Sequence, residues 1–333
     1  MIKFHTEFDI CKPPFFIEHS SRIFLLGSCF TENIGAKLGH YKFNVLQNPN
    51  GILFNPQSVA DVVHQYANLA FVQEADLFYL NSVWNSWLHH TRFSAVTPNT
   101  ALNIMNGSIQ RAHDFLLTAD IAVITFGSAW VYELLETVPN RPPSNIAANN
   151  HRAPANWFKK VLLSPGKTQE VITSTVEELR RLNPEVRIIF TISPVRHIRE
   201  GLVNNNRSKA ALIYAVHEVA SSFANVYYFP AYELVIDDLR DYRFYAEDLV
   251  HPNYQSSSYV WQKLITSCFS PSAKLLLEKL DPILSAVAHK PMNPESAAHK
   301  SFVEKIITSI EQLEAEYSYL DFSHEKAALT MMA

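Results

Sequence analysis

Two short segments, far apart in the chain, carry side chains able to do covalent chemistry. The first is Gly27-Ser28-Cys29-Phe30-Thr31, where a hydroxyl and a thiol follow the apolar run 22–26 and precede a helical pattern with Ile34 and Leu38. Both side chains then stand at a helix N-terminus, where free amides and the helix dipole favour developing negative charge. The second is Asp248-Leu-Val-His251-Pro252-Asn253. A carboxylate and an imidazole three residues apart can meet across one turn, the carboxylate accepting from Nδ1–H and leaving Nε2 as a base. Together the segments read as a nucleophile (Ser28 or Cys29), a general base (His251) and an orienting acid (Asp248). Taken singly they are less telling, since Ser28 alone would be an ordinary helix-capping serine.

These side chains need a scaffold that brings them together. Short apolar runs read as strands at 22–26, 121–126, 186–192 and 226–229, the first two ending at Gly27 and Gly127 and the third at Ser193-Pro194. Amphipathic helical patterns fill 167–182, 207–223 and 254–268. Strands alternating with helices predict an α/β fold, a three-layer sandwich around a parallel sheet. Ligands in such sheets bind beyond the carboxyl ends of the strands, so the turns at Gly27, Gly127 and Ser193 should share one edge. Arg196, just past the third turn, becomes a substrate-binding candidate. Residues 75–95 suggest a β-hairpin or a lid. Residues 137–157, with Pro139, Pro142, Pro143 and Pro154, read as a long loop. Beyond Cys268 the pattern turns helical, with Phe302, Ile306, Ile307, Ile310 and Leu313 as a stripe. The expected organisation is an α/β domain over 1–270 and a helical extension over 271–333, packed on the core.

Composition narrows the function classes. The 333 residues are 47% hydrophobic and 18% charged with a net charge of −4, a globular balance without the basic field that nucleic acid or an anionic membrane requires. No apolar run approaches the roughly 18 residues that span a bilayer. The N-terminal stretch lacks the apolar core of a secretion signal, which predicts a cytoplasmic protein. Three scattered cysteines, Cys11, Cys29 and Cys268, build neither a disulfide framework nor a four-cysteine zinc site. The adjacent His89 and His90 would point to opposite faces of a strand, so they do not read as a metal pair.

The strand–Gly-Ser-Cys-Phe–helix segment resembles the signature of the GSCFA family, which is grouped with the SGNH (GDSL-type) hydrolases. The resemblance extends to Asn48-Pro-Asn-Gly-Ile-Leu-Phe-Asn-Pro56, Trp87-Leu-His-His-Thr-Arg-Phe-Ser94 and Thr125-Phe-Gly-Ser-Ala-Trp-Val-Tyr132, and covers about residues 20–270. It implies an SGNH-like fold with a flavodoxin-like sheet, and ester or acyl-group chemistry, such as removal or transfer of an acetyl group on a carbohydrate. The implied partner is a small-molecule or glycan ester, and no cofactor is implied. SGNH enzymes use Gly-Asp-Ser-Leu. Aligned without gaps, the nucleophile falls on Cys29; shifted by one, on Ser28. A cysteine at a helix N-terminus beside a histidine would have a lowered pKa. The asparagine that helps to form the superfamily's oxyanion hole is replaced here by Ala129. The hole would then use the nucleophile's own amide and that of Gly51, with Asn150, His89 or His90 as replacement donors, and Gly127 is a further oxyanion or substrate-binding candidate. Two other readings stay open: a catalytically inactive binding module, and a thiol transferase dependent on Cys29.

Overall fold

The computed structural model describes residues 6, 9–289 and 292–332. Part of the N-terminal stretch that lacks a secretion signal's apolar core lies outside them. In chain order the elements are β1 (Arg22–Gly27), α1 (Cys29–His40), β2 (Asn44–Gln47), α2 (Pro56–Asn68), β3 (Phe78–Leu80), β4 (Val83–Asn85), α3 (Pro98–Leu116), β5 (Ile121–Phe126), β6 (Trp130–Leu134), β7 (Ile146–Ala147) and β8 (Phe158–Leu162). They continue with α4 (Pro165–Leu182), β9 (Arg187–Ile192), α5 (Gly201–Ser222), β10 (Val226–Phe229), α6 (Ala231–Glu233), α7 (Tyr254–Cys268), α8 (Pro271–Ala288), α9 (Ala297–Glu316) and α10 (Ser323–Met332).

Five parallel strands form the central sheet in the order β10-β9-β5-β1-β2. The chain passes from β1 to β2 on one side and returns to β5 on the other. The switch point, and hence the ligand crevice, lies at the ends of β1 and β5. The four strands read from sequence are all present.

Period-two alternation sends each strand's side chains into two separate cores. Phe24, Leu26, Ala122, Ile124, Phe126, Ile188, Phe190 and Ile192 face α2, α3, α4 and α5. Ile23, Leu25, Ile121 and Ile189 face α1, α7 and the segment that starts at α6. The result is the expected α/β/α sandwich.

The C-terminal helices α8, α9 and α10 pack around Leu280, Ile283, Ile310, Leu313 and Phe322. Within α8, Ala273 and Leu277 belong to the core beneath the sheet, whereas Leu276 and Leu280 belong to this helical cluster. The turn after α1 ties the two together: the Tyr41 hydroxyl donates to Asp281 and the Lys42 ammonium pairs with Glu325 at 2.8 Å. No helix among the described residues is long and apolar enough to cross a membrane.

Residues 75–95 contain the antiparallel hairpin β3–β4. The expected loop 137–157 holds β7, which joins β6 and β8 in a small antiparallel sheet that sequence reading missed. Its signals are weak because β8 reads Phe-Lys-Lys-Val-Leu and is nowhere fully buried.

Candidate active site

Gly27 ends β1 with φ +141°, and a Cβ there would lie 2.2 Å from the Thr125 carbonyl oxygen. Only glycine lets the β1 turn approach β5 so closely. Ser28, the N-cap of α1, is 0% exposed, makes no capping bond, and its Oγ has no partner. Cys29 is half-buried and lines a cavity of about 570 Å³ together with Ser128, Arg196, His197, Asp248 and His251. Of the two candidate nucleophiles, then, the cysteine shares space with the Asp–His pair.

The expectation of a lowered thiol pKa is reversed. Burial pushes the Cys29 thiol up, and Glu32 adds to this, against the opposing pull of the Cys29 and Phe30 amides and of Lys209. The thiol is therefore held protonated and needs a base. The Ser28 side chain leaves the first turn of α1 uncapped, and the Cys29 and Phe30 amides there pull the thiol pKa down against burial.

The Asp248 carboxylate organises its own turn. One oxygen accepts from the backbone N–H groups of Val250 (2.9 Å) and His251 (3.0 Å). The other accepts from His251 Nδ1 at 2.6 Å. The His251 amide, the imidazole and the Val250 amide hold the Asp248 carboxyl down to about 2, so it is ionised at any working pH. His251 Nε2 is left free, as a base requires. Leu249 sits at φ +57° to close the turn, and Asn253 caps α7 directly afterwards by accepting from the Ser256 amide.

The remaining sequence candidates divide. Arg196 lines the cavity. Gly51 does not, and its amide donates to the Asn48 carbonyl at 2.8 Å, so it has no free N–H for an oxyanion. Its φ of +92° lets it pack against the His90 Cβ. Gly127 lies behind the wall, its amide donating to the Phe54 carbonyl at 2.7 Å. Ala129 is fully buried with its amide on Ser208.

His89, His90 and Asn150 are also off the cavity wall. His89 is wholly buried with Nδ1 on Ser86, and burial, helped by His151, pushes it down to about 3. The His90 amide donates to Asn50 and its Nδ1 accepts from the Arg92 amide. The Asn150 carbonyl accepts from the Ala153 amide. Of these contacts, the bond from the His90 amide to Asn50 joins the segment after β4 to the turn after β2. Among the described residues, no group of three or more His, Cys, Asp or Glu side chains could hold a metal ion.

Sequence reading missed two groups. Lys209 is fully buried on α5, its ammonium donating to the carbonyls of Gly127 (2.7 Å) and Ser193 (2.6 Å). It thereby ties the end of β5 to the end of β9, and burial lowers it to about 7. Its position 209, in register with Leu212, Val216 and Val219 on the apolar stripe, is the signal that could have revealed it. His197 lines the cavity with Nε2 buried and unpartnered, and burial, aided by Lys209 and His251, pushes it down to about 3, so the ring is neutral.

The turn chemistry and the doubly wound sheet together define an α/β protein with a thiol and an Asp–His pair at its switch point. The chain belongs to the GSCFA family, which it matches over residues 22–264, and residues 280–332 match the C-terminal domain of GSCFA domain proteins. Among solved structures it is similar to one from Streptococcus pneumonia named for platelet activating factor, with TM-score 0.38 and 11% identity, covering 75% of this chain and 85% of that one. It is also similar to a carbohydrate esterase family 3 protein from Talaromyces cellulolyticus, with TM-score 0.35 and 10% identity over 79% and 98% of the two chains. A third likeness is to a mutant acetyl esterase with acetate ion, with TM-score 0.34 and 10% identity over 79% and 99%. A comparison with curated proteins finds no match.

Proposed function

We propose that the protein hydrolyses or transfers an acyl group from an ester of a small molecule or glycan, through Cys29, His251 and Asp248. The observation that carries this reading is the single cavity shared by the Cys29 thiol and the Asp248–His251 pair. His251 Nε2 takes the thiol proton as Sγ attacks the acyl carbonyl, forming a C–S bond. The Cys29 and Phe30 amides hold the oxyanion. The C–O bond then breaks, His251 returns its proton to the leaving alcohol, and water or an acceptor alcohol releases the acyl group from the thioester. Asp248 keeps Nε2 facing the cavity and stabilises the imidazolium.

The binding-module reading rests on two features, the raised thiol pKa and Ala129 at the asparagine position. Turnover of para-nitrophenyl acetate separates the two. The acyl-transfer reading expects turnover by the wild type and a loss of about 10²- to 10⁴-fold in His251→Ala. No turnover by the wild type, or full activity in His251→Ala, refutes it.

A further inference from the structure

The charges around the cavity do not balance locally. Asp248 is bonded to His251, and Glu200 is ion-paired with Lys160. Arg196 and Arg199 also line the cavity, and neither meets a carboxylate at ion-pairing distance among the described residues.

Arg196 is the better placed of the two. Its guanidinium lies 4.6 Å from the Tyr245 ring centroid and 5.1 Å from that of Tyr242. Nη1 donates to the Tyr242 hydroxyl at 3.2 Å, and the Arg196 amide donates to the carbonyl of Val250, next to His251, at 3.1 Å. Two tyrosines and one backbone bond therefore fix a flat cation beside the catalytic imidazole. A guanidinium has five N–H donors, and the Tyr242 hydroxyl takes one of them. At least three remain for a ligand, arranged in the fork that matches a carboxylate or a phosphate.

We infer that the ester processed here carries an anionic group, a carboxylate or a phosphate, which Arg196 grips while the acyl group lies at Cys29. This substrate class rests on the acyl-transfer reading of the same cavity. A charge-assisted pair of this kind is worth roughly ten- to hundred-fold in specificity. The matched probes are para-acetoxybenzoate, para-acetoxyphenyl phosphate and the neutral para-acetoxybenzamide, compared by kcat/KM on the full chain.

The expected result is that at least one anionic ester beats the amide by ten-fold or more. That ratio should collapse towards one in Arg196→Gln and be partly restored in Arg196→Lys. The anion that shows the effect tells carboxylate from phosphate. A wild-type ratio near one, or a ratio that survives in Arg196→Gln, overturns the inference. If the wild type turns over none of the esters, it is the catalytic reading that has failed. The anion site is then tested alone by calorimetric binding of para-hydroxybenzoate, para-hydroxyphenyl phosphate and para-hydroxybenzamide to Cys29→Ala. Binding of at least one anion that exceeds the amide's and needs Arg196 supports the site; equal binding of the amide refutes it.

Discussion

Replacing Lys209 by methionine keeps the long aliphatic stem and removes the ammonium buried beneath the candidate site. Burial lowers this lysine from an ordinary 10.5 to about 7, while the unfolded chain keeps its proton up to the ordinary value. Between those two values the unfolded state binds more protons, so this group makes stability rise with pH. Below pH 7 both states are protonated, and the cost of the buried charge is present in full.

The limiting slope is about 1.4 kcal/mol per pH unit. Since the folded lysine is already half deprotonated at pH 7, the rise from pH 7 to 9 comes to about 2 kcal/mol. Urea denaturation at pH 7, 8 and 9 and constant ionic strength, with and without Lys209→Met, reads this directly. Groups common to both proteins cancel in the difference. Losing the bonds to Gly127 and Ser193 shifts the variant's stability by about 1–3 kcal/mol, but that is an offset and not a slope. Wild-type and variant profiles that run parallel to within about 0.5 kcal/mol would refute the reasoning.

Other substitutions test the neighbouring geometry. Gly27→Ala drives a Cβ to 2.2 Å from the Thr125 carbonyl oxygen and should destabilise by more than about 2 kcal/mol in urea. Ala129→Asn, which restores the asparagine of the resemblance, should cost about 1–3 kcal/mol and leave ester turnover no higher, because position 129 is fully buried behind the wall. Asp248→Asn should cut turnover about 10²- to 10⁴-fold, read by initial rates across pH, because an amide in place of the carboxylate no longer fixes the Nδ1–H tautomer.

The glycine turn, the strand that ends at it and the Asp248–His251 contact were legible because each depends on neighbours within a few residues. What was not legible depends on backbone orientation and burial, which residue types alone do not show. The Gly51 amide is unavailable because Asn48, at φ +43°, turns its carbonyl back onto it, and Arg92 Nη2 holds that same carbonyl from across the hairpin. The choice between Ser28 and Cys29 turns on which way the first residues of α1 face, and a one-residue ambiguity in alignment conceals that. The thiol's raised pKa follows from burial, which a helix N-terminus in isolation does not reveal. Lys160 reaches the cavity from β8, whose half-exposed pattern gave no strand signal.

The most direct measurement is intact mass and peptide mapping after iodoacetamide and, separately, a fluorophosphonate probe. Cys11 is exposed and would react on its own, so the work uses a Cys11→Ala background, while Cys268 is buried with its thiol pushed up to about 11. With iodoacetamide a single adduct is expected at residue 29, kept in Ser28→Ala, lost in Cys29→Ala and slowed in His251→Ala, and the fluorophosphonate should leave Ser28 unmodified. An adduct that persists in Cys29→Ala and vanishes in Ser28→Ala, or one that forms at the same rate without His251, would contradict this expectation.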